Sequence, residues 1–201
     1  LQLNYAKQYV DLYFKRDEQE LKRHLKKSVR MAFLTIELSK LVNYKDVTST
    51  FFAAMNYYIG EMVLFMRDQK RYDEYKKLIA KGLDEKTAEL ASFGFDLGEL
   101  STKMLVKWQM PNHVIDVIAN KENQEEINLS NNKLDTILRF ANYIVKAMDR
   151  DDATPASLWN LANDYLLKLD LEIDSDKWEE EIKSIFIKVL ETEYTLFHSK
   201  S

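Results

Sequence analysis

Apolar residues recur along most of this chain at spacings of three and four, the mark of helices that each bury one face. Between about Glu18 and Val42, the positions Leu21, Leu25, Val29, Ala32, Phe33 and Ile36 make one stripe and predict a long amphipathic helix. Asp46, followed by Thr48 and Ser49, offers a side-chain cap for a second long helix running through Phe51 to Met66. That segment is apolar on most sides, at Phe52, Met55, Tyr58, Ile59, Met62, Val63 and Phe65, and is expected at the centre of a bundle. Shorter helices are predicted near Tyr72–Ala80 and Asp84–Ala91, with Gly82 placed between them as a helix terminator.

Asp96 and Glu99 form an Asp-x-x-Glu pair that opens the next helix. Its inner face reads Leu97, Leu100, Ser101, Met104, Leu105 and Trp108, and the small residues Gly98 and Ser101 predict a close helix–helix approach. Pro111 starts a short helix bearing Val114, Ile115 and Ile118. The polar run Asn120 to Asn132 reads as a loop and hinge. Beyond it, Leu134, Ile137, Leu138, Ala141, Val145 and Met148 stripe one helix, and Thr154-Pro155 opens another through Leu169. Trp178, Ile182, Ile185, Phe186, Val189, Leu190 and Phe197 stripe a last one. No internal repeat or sustained heptad is present. The expected fold class is all-α, a multi-helix bundle.

Composition narrows the function. With 4 Gly and 2 Pro in 201 residues there are too few turn residues for a sheet-rich fold. The absence of Cys excludes disulfides, thiolate metal sites and a Cys nucleophile. No apolar run approaches the ~20 residues of a membrane span and no signal-peptide pattern opens the chain, so the expectation is a cytoplasmic protein. A net charge of -4 argues against a dedicated nucleic-acid binder. The charge is uneven: residues 1–45 hold roughly 10 basic against 5 acidic side chains, and residues 149–201 roughly 6 against 13. Solvated helix faces account for this most simply; a basic first half facing an acidic tail or acidic partner is the sharper alternative.

The stretch from Glu89 to Asn123 is the most distinctive. Its skeleton is Glu89, then Phe93-Gly94-x-Asp96, then Leu105, Trp108 and Pro111 ahead of an apolar run. In this it resembles the HDOD domain, a bacterial and largely non-catalytic branch of the HD metal-dependent phosphohydrolase superfamily. The resemblance covers roughly Leu21 to Asn142 and implies an orthogonal bundle of the HD/HDOD type over residues 1–149, with 150–201 as a C-terminal helical extension. It also implies ligand positions, and this chain departs at each. Lys27 stands where the first His falls, before Ser28-Val29. Tyr57 and Tyr58 stand in place of the His-Asp pair before Ile59-Gly60, and Asn142 replaces the late Asp. Leu97 and about Lys121 and Glu122 replace histidines that the family often carries. The helical half that usually begins such domains, with an Asp-Pro-x-Leu element and an Asn-Ser pair, is missing. The chain, which opens at Leu1, is therefore either a piece of a longer protein or one that has lost that half.

No catalytic residue, cofactor site or metal site is therefore expected. His24, His113 and His198 lack ligand spacing and read as surface or structural residues. No Gly-x-Ser-x-Gly elbow and no Gly-rich phosphate loop exists. Glu37 with Glu61, or Glu89 with Glu99, are conceivable acid–base pairs; the resemblance implies that Glu89 and Glu99 are structural, and Trp108 and Pro111 read as packing and helix-start residues. Tyr57 and Tyr58 either plug the remnant cleft or line it. The leading expectation is a non-enzymatic scaffold in bacterial signal transduction. It would bind signalling protein partners through helix faces, with no nucleic acid and no membrane, and with a homodimer admitted. The alternative is a small-molecule or nucleotide sensor whose cleft gathers Lys27, Tyr57, Tyr58, Lys121 and Asn142. An HD-type metal-dependent phosphohydrolase ranks last.

Overall fold

A computed structural model describes residues 18–119, 133–149, 154, 157–158 and 175–198. Every regular element among them is a helix. In chain order these are α1 (Glu18–Leu41), α2 (Val47–Met55), α3 (Ile59–Arg67), α4 (Gln69–Ala80) and α5 (Glu85–Phe93). They continue with α6 (Leu97–Lys107), α7 (Asn112–Ala119), α8 (Lys133–Met148) and α9 (Ser175–His198). The chain forms two compact units, Leu1–Ser28 with Met55–Glu126 and Val29–Ala54 with Ile127–Ser201. Neither is a continuous stretch of chain: α1 gives its first half to one unit and its second half to the other.

The caps foreseen from sequence at Asp46 and Asp96 form, and Asp84 caps α5 besides. Asp46, Asp84 and Asp96 accept from the backbone N–H groups of Ser49, Thr87 and Glu99 at 3.0, 2.9 and 2.6 Å, satisfying donors that a helix start leaves orphaned. Thr154 and Ser157 cap reciprocally, each side-chain oxygen taking the other's backbone N–H; of the helix expected after them Ser157 and Leu158 are helical, and its other positions lie outside the described residues. So does the loop predicted over 120–132. Three helices end in the same Schellman geometry, with a left-handed residue after the cap: Asn43 closes α1, Gly82 closes α4 and Gln109 closes α6.

The single helix predicted through Phe51 to Met66 is instead two, α2 and α3, parted by a turn at Asn56, Tyr57 and Tyr58. The hydrogen bonds give the reason. Ile59 N–H reaches only to Asn56 O, three residues back, and Gly60 N–H leaves the helical ladder to bond the Ser101 hydroxyl at 3.1 Å. Met62 N–H to Tyr58 O then starts the new ladder. Both segments are buried, so their apolar pattern runs through the break unaltered.

In the first unit α3 packs on α4 and α6, α4 on α5, and α6 on α7. The core combines Leu21 and Leu25 of α1 with Ile59, Met62 and Phe65, then Leu97, Leu105, Val114, Val117 and Ile118. Aromatic rings link its helices in series: Phe65 to Tyr72 at 5.4 Å, Tyr72 to Tyr75 at 6.1 Å and Tyr75 to Phe93 at 5.6 Å. Trp108, expected to pack, is 44% exposed at the C-cap of α6. The helix face it was assigned to ends one turn earlier, at Leu105, because the chain turns away through left-handed Gln109.

The buried side chains of the second unit include Met31, Leu34 and Leu38 of α1, Phe51 of α2, Leu134, Leu138, Ile144 and Val145 of α8, and Ile182, Phe186 and Val189 of α9. Arg30 ties it electrostatically, donating to Asp149 at 2.8 Å and to both oxygens of buried Glu193.

Candidate functional site

Within the first unit, one face of α1 carries Glu20, Arg23, His24 and Lys27 at positions i, i+3, i+4 and i+7. His24 in that polar stripe is buried, and Glu20, Arg23 and Lys27 are part-buried around it. The His24 ring is 1% exposed, 5.3 Å from Phe65 and 5.6 Å from Tyr72. The Tyr72 hydroxyl, from α4, is the hub. Arg23 donates to it at 2.9 Å, Glu20 and Glu61 both lie within reach of its proton at 3.0 and 3.2 Å, and His24 Nε2 is 3.0 Å away. Arg23 also pairs with Glu20 at 2.7 Å, and Lys27 with Glu61 at 3.4 Å.

The charges govern one another. Burial pulls the His24 imidazole down to about 4, the neighbouring Glu61 opposing and Arg23 assisting, so the ring is neutral at pH 7. With Nε2 at the Tyr72 hydroxyl, the other ring nitrogen, Nδ1, lies 3.9 Å from Glu61 Oε1, too far for a hydrogen bond. Burial alone would raise Glu61, but the charges of Lys27, His24 and Arg23 overcome it and hold the carboxyl far below its ordinary range. Burial likewise works against Glu20, and its bond and charge contact with Arg23 win. Burial next to Glu61 pushes the Tyr72 hydroxyl far up, so it remains a phenol. Lys76, also within this field, is lowered by burial and by the like charge of Arg23.

The residues assigned to the remnant cleft are distributed as follows. Lys27 sits with its ammonium 4.5 Å above the Tyr58 ring, a cation–π contact added to its Glu61 pair. Tyr57 meets Tyr58 edge to face at 5.2 Å, and both are buried. Lys27, Tyr57 and Tyr58 are thus together in the first unit. Asn142 is buried on α8 of the second unit, and Lys121 lies outside the described residues. Lys27, Tyr57 and Tyr58 do not suit a divalent cation: two phenols and a fixed ammonium offer it repulsion and no carboxylate or imidazole. Among the described residues no group of three or more His, Cys, Asp or Glu is placed to hold a metal ion.

Glu89 has the structural role expected of it. Its buried carboxylate accepts the Leu97 N–H at 2.7 Å, binding the end of α5 to the start of α6. Glu99 meets Lys103 on the exposed face of α6, Glu37 meets Lys40 and Lys188, and His113 is exposed. What sequence reasoning missed is the buried cluster around Tyr72. Its signal was present: four ionisable residues at i, i+3, i+4 and i+7 are as periodic as the apolar stripe beside them.

The regular elements of the described residues make an all-helical bundle. The profile of the HDOD domain matches residues 2–124, more than half of the chain, and the chain belongs to that family. A "putative phosphohydrolase" from Shewanella amazonensis has a similar structure, with a TM-score of 0.74 at 17% identity over 96% of this chain and 70% of that one. An HDOD domain protein with unknown function from Geobacter sulfurreducens is also similar, with a TM-score of 0.66 at 16% identity over 94% and 68%. At these identities the likeness is one of fold. No curated protein matches the sequence. No helix among the described residues is long and apolar enough to cross a membrane.

Proposed function

We propose that this chain is a non-enzymatic regulatory domain, a cytoplasmic scaffold in bacterial signal transduction that binds a protein partner through exposed helix faces. Residues 1–149 would form the HDOD-like body and 150–201 its helical extension. The observation that carries the reading is the Lys27 ammonium seated on the Tyr58 ring and on Glu61. It puts an internal cation beside the tyrosines that replace the family's ligands, and the Tyr72 cluster spends the nearby carboxylates on holding helices together. The sensor reading draws less support, because Tyr57 and Tyr58 are buried and Lys27 is already engaged. Elemental analysis of the purified protein, paired with a phosphodiesterase assay, tests the proposal. The expected result is no stoichiometric metal and no turnover; stoichiometric Mn, Fe or Mg with turnover would sink it. A thermal-shift screen of nucleotides separates the sensor reading, since a specific ligand raises the melting temperature by mass action. No shift is expected.

A further inference from the structure

In the second unit, α9 turns two faces in different directions. Ile182, Ile185, Phe186 and Val189 are buried, while Ile187, Leu190 and Tyr194 are 47%, 39% and 67% exposed. At about 100° per residue these three fall within an arc of roughly 60°, spanning about 10 Å of helix. Single exposed apolar residues need no explanation, but three in one seam do. Glu180 and Glu191 lie on the same side, within about 20° of each other and about 16 Å apart along the axis. Both are exposed, and neither has an ion pair among the described residues. The lysines of the helix's described side chains are used: Lys183 pairs with Glu179 and Lys188 with Glu37. An apolar seam thus runs beside two exposed carboxylates that have no ion pair among the described residues.

We infer that this seam is a docking surface for an amphipathic helical segment of a partner protein, with Lys or Arg residues flanking its apolar face. The inference deepens the proposed function and rests on it. Apolar anchors at i, i+3 and i+7 suit a facing helix, and the two carboxylates select a basic flank. A second copy of this chain is the wrong occupant. Two-fold pairing of the seam with itself, centred near Leu190, would set Glu191 against Glu191 of the copy, a like-charge juxtaposition.

Two labelled helical peptides of 18 or so residues, with one leucine seam flanked by Lys or by Glu, test this by fluorescence anisotropy on the full chain. The Lys peptide should bind at micromolar concentration, at least tenfold more tightly than the Glu peptide. Ile187→Ser with Tyr194→Ser should weaken it tenfold or more, Glu180→Lys with Glu191→Lys should invert the peptide preference, and Leu90→Ser in the other unit should change nothing. Equal binding of both peptides, no binding up to millimolar, or full affinity in the Ser variant would overturn the surface. So would sedimentation showing self-association that the Ser variant abolishes. Those failures leave the non-enzymatic reading standing, because that reading falls only on metal-dependent turnover.

Discussion

The amide of Gly60 donates to the hydroxyl of Ser101 at 3.1 Å, and that hydroxyl donates onward to Leu97 O at 2.7 Å. This buried relay locks α3 against α6 at backbone contact distance. A Cβ on Gly60 would fall 2.5 Å from Leu97 O and 2.7 Å from Ser101 Oγ, so part of the α6 backbone would have to move. Gly60→Ala should therefore destabilise by about 3 kcal/mol, at the upper end for overpacking. Ser101→Ala keeps the space but strands a buried N–H, for a cost of about 1–3 kcal/mol. Urea denaturation of both variants checks the order. Equal stability of Gly60→Ala and the wild type would show that the helices can separate at no cost.

The same relay shows what the sequence could and could not disclose. Small residues at Gly98 and Ser101 signalled close approach, and the approach is there, with Gly60 as the partner that makes it necessary. Caps at Asp46 and Asp96 were legible because an N-cap is a local bond between residues three apart. The break at Asn56–Tyr58 was not, since its cause is a hydroxyl 41 residues away. The Tyr72 cluster was hidden similarly: periodicity placed Glu20, Arg23, His24 and Lys27 on one face, but only the positions of Glu61 and Tyr72 decide that His24 on this face is buried. The exposed Trp108 is the converse case, an aromatic at helical spacing that the chain leaves behind when it turns.

That cluster makes stability fall in acid. His24 is held down to about 4 when folded, against 6.5 when exposed, so between those values the unfolded chain binds a proton that the folded chain refuses. Stability is full above pH 6.5 and is lost as the pH drops toward 4, by about 3 kcal/mol for this group. Glu61 and Glu20, lowered from their ordinary 4.5, extend the loss to more acid pH with the same sign. Unfolding free energies measured at pH 7, 5.5 and 4.5 should decline in that order, and His24→Gln should flatten the slope. An NMR titration that protonates His24 near pH 6.5 in the folded protein would refute the assignment.

Lys27 and Glu61 are coupled: without Glu61 the part-buried Lys27 ammonium loses its carboxylate, and without Lys27 the Glu61 carboxylate keeps Arg23 and Tyr72 but loses one cation. Glu61→Gln should cost about 3 kcal/mol, because Lys27 and Arg23 lose the carboxylate that offsets their burial. Lys27→Met also gives up the Tyr58 contact, yet supplies a side chain of similar length. The double variant should lose less than the sum of the two. A double-mutant cycle reads this directly, and strict additivity would mean that the pair contributes nothing.

Gln109 occupies a position that glycine fills after α4. Its φ of 56° closes α6 through the bonds Gln109 N–H to Val106 O at 3.0 Å and Met110 N–H to Leu105 O at 3.1 Å. A non-glycine residue in this left-handed region costs roughly 1–2 kcal/mol, against which glycine's greater freedom in the unfolded chain weighs about 0.5–1 kcal/mol. Gln109→Gly should therefore stabilise by up to about 1 kcal/mol. Asn43, which ends α1 at a φ of 53°, gains less from the same change because asparagine tolerates the conformation better. Thermal unfolding of the two variants separates these expectations: Tm should rise for Gln109→Gly and move little for Asn43→Gly. A fall in Tm for Gln109→Gly would mean that the Gln109 side chain contributes more to closing α6 than its backbone strain costs.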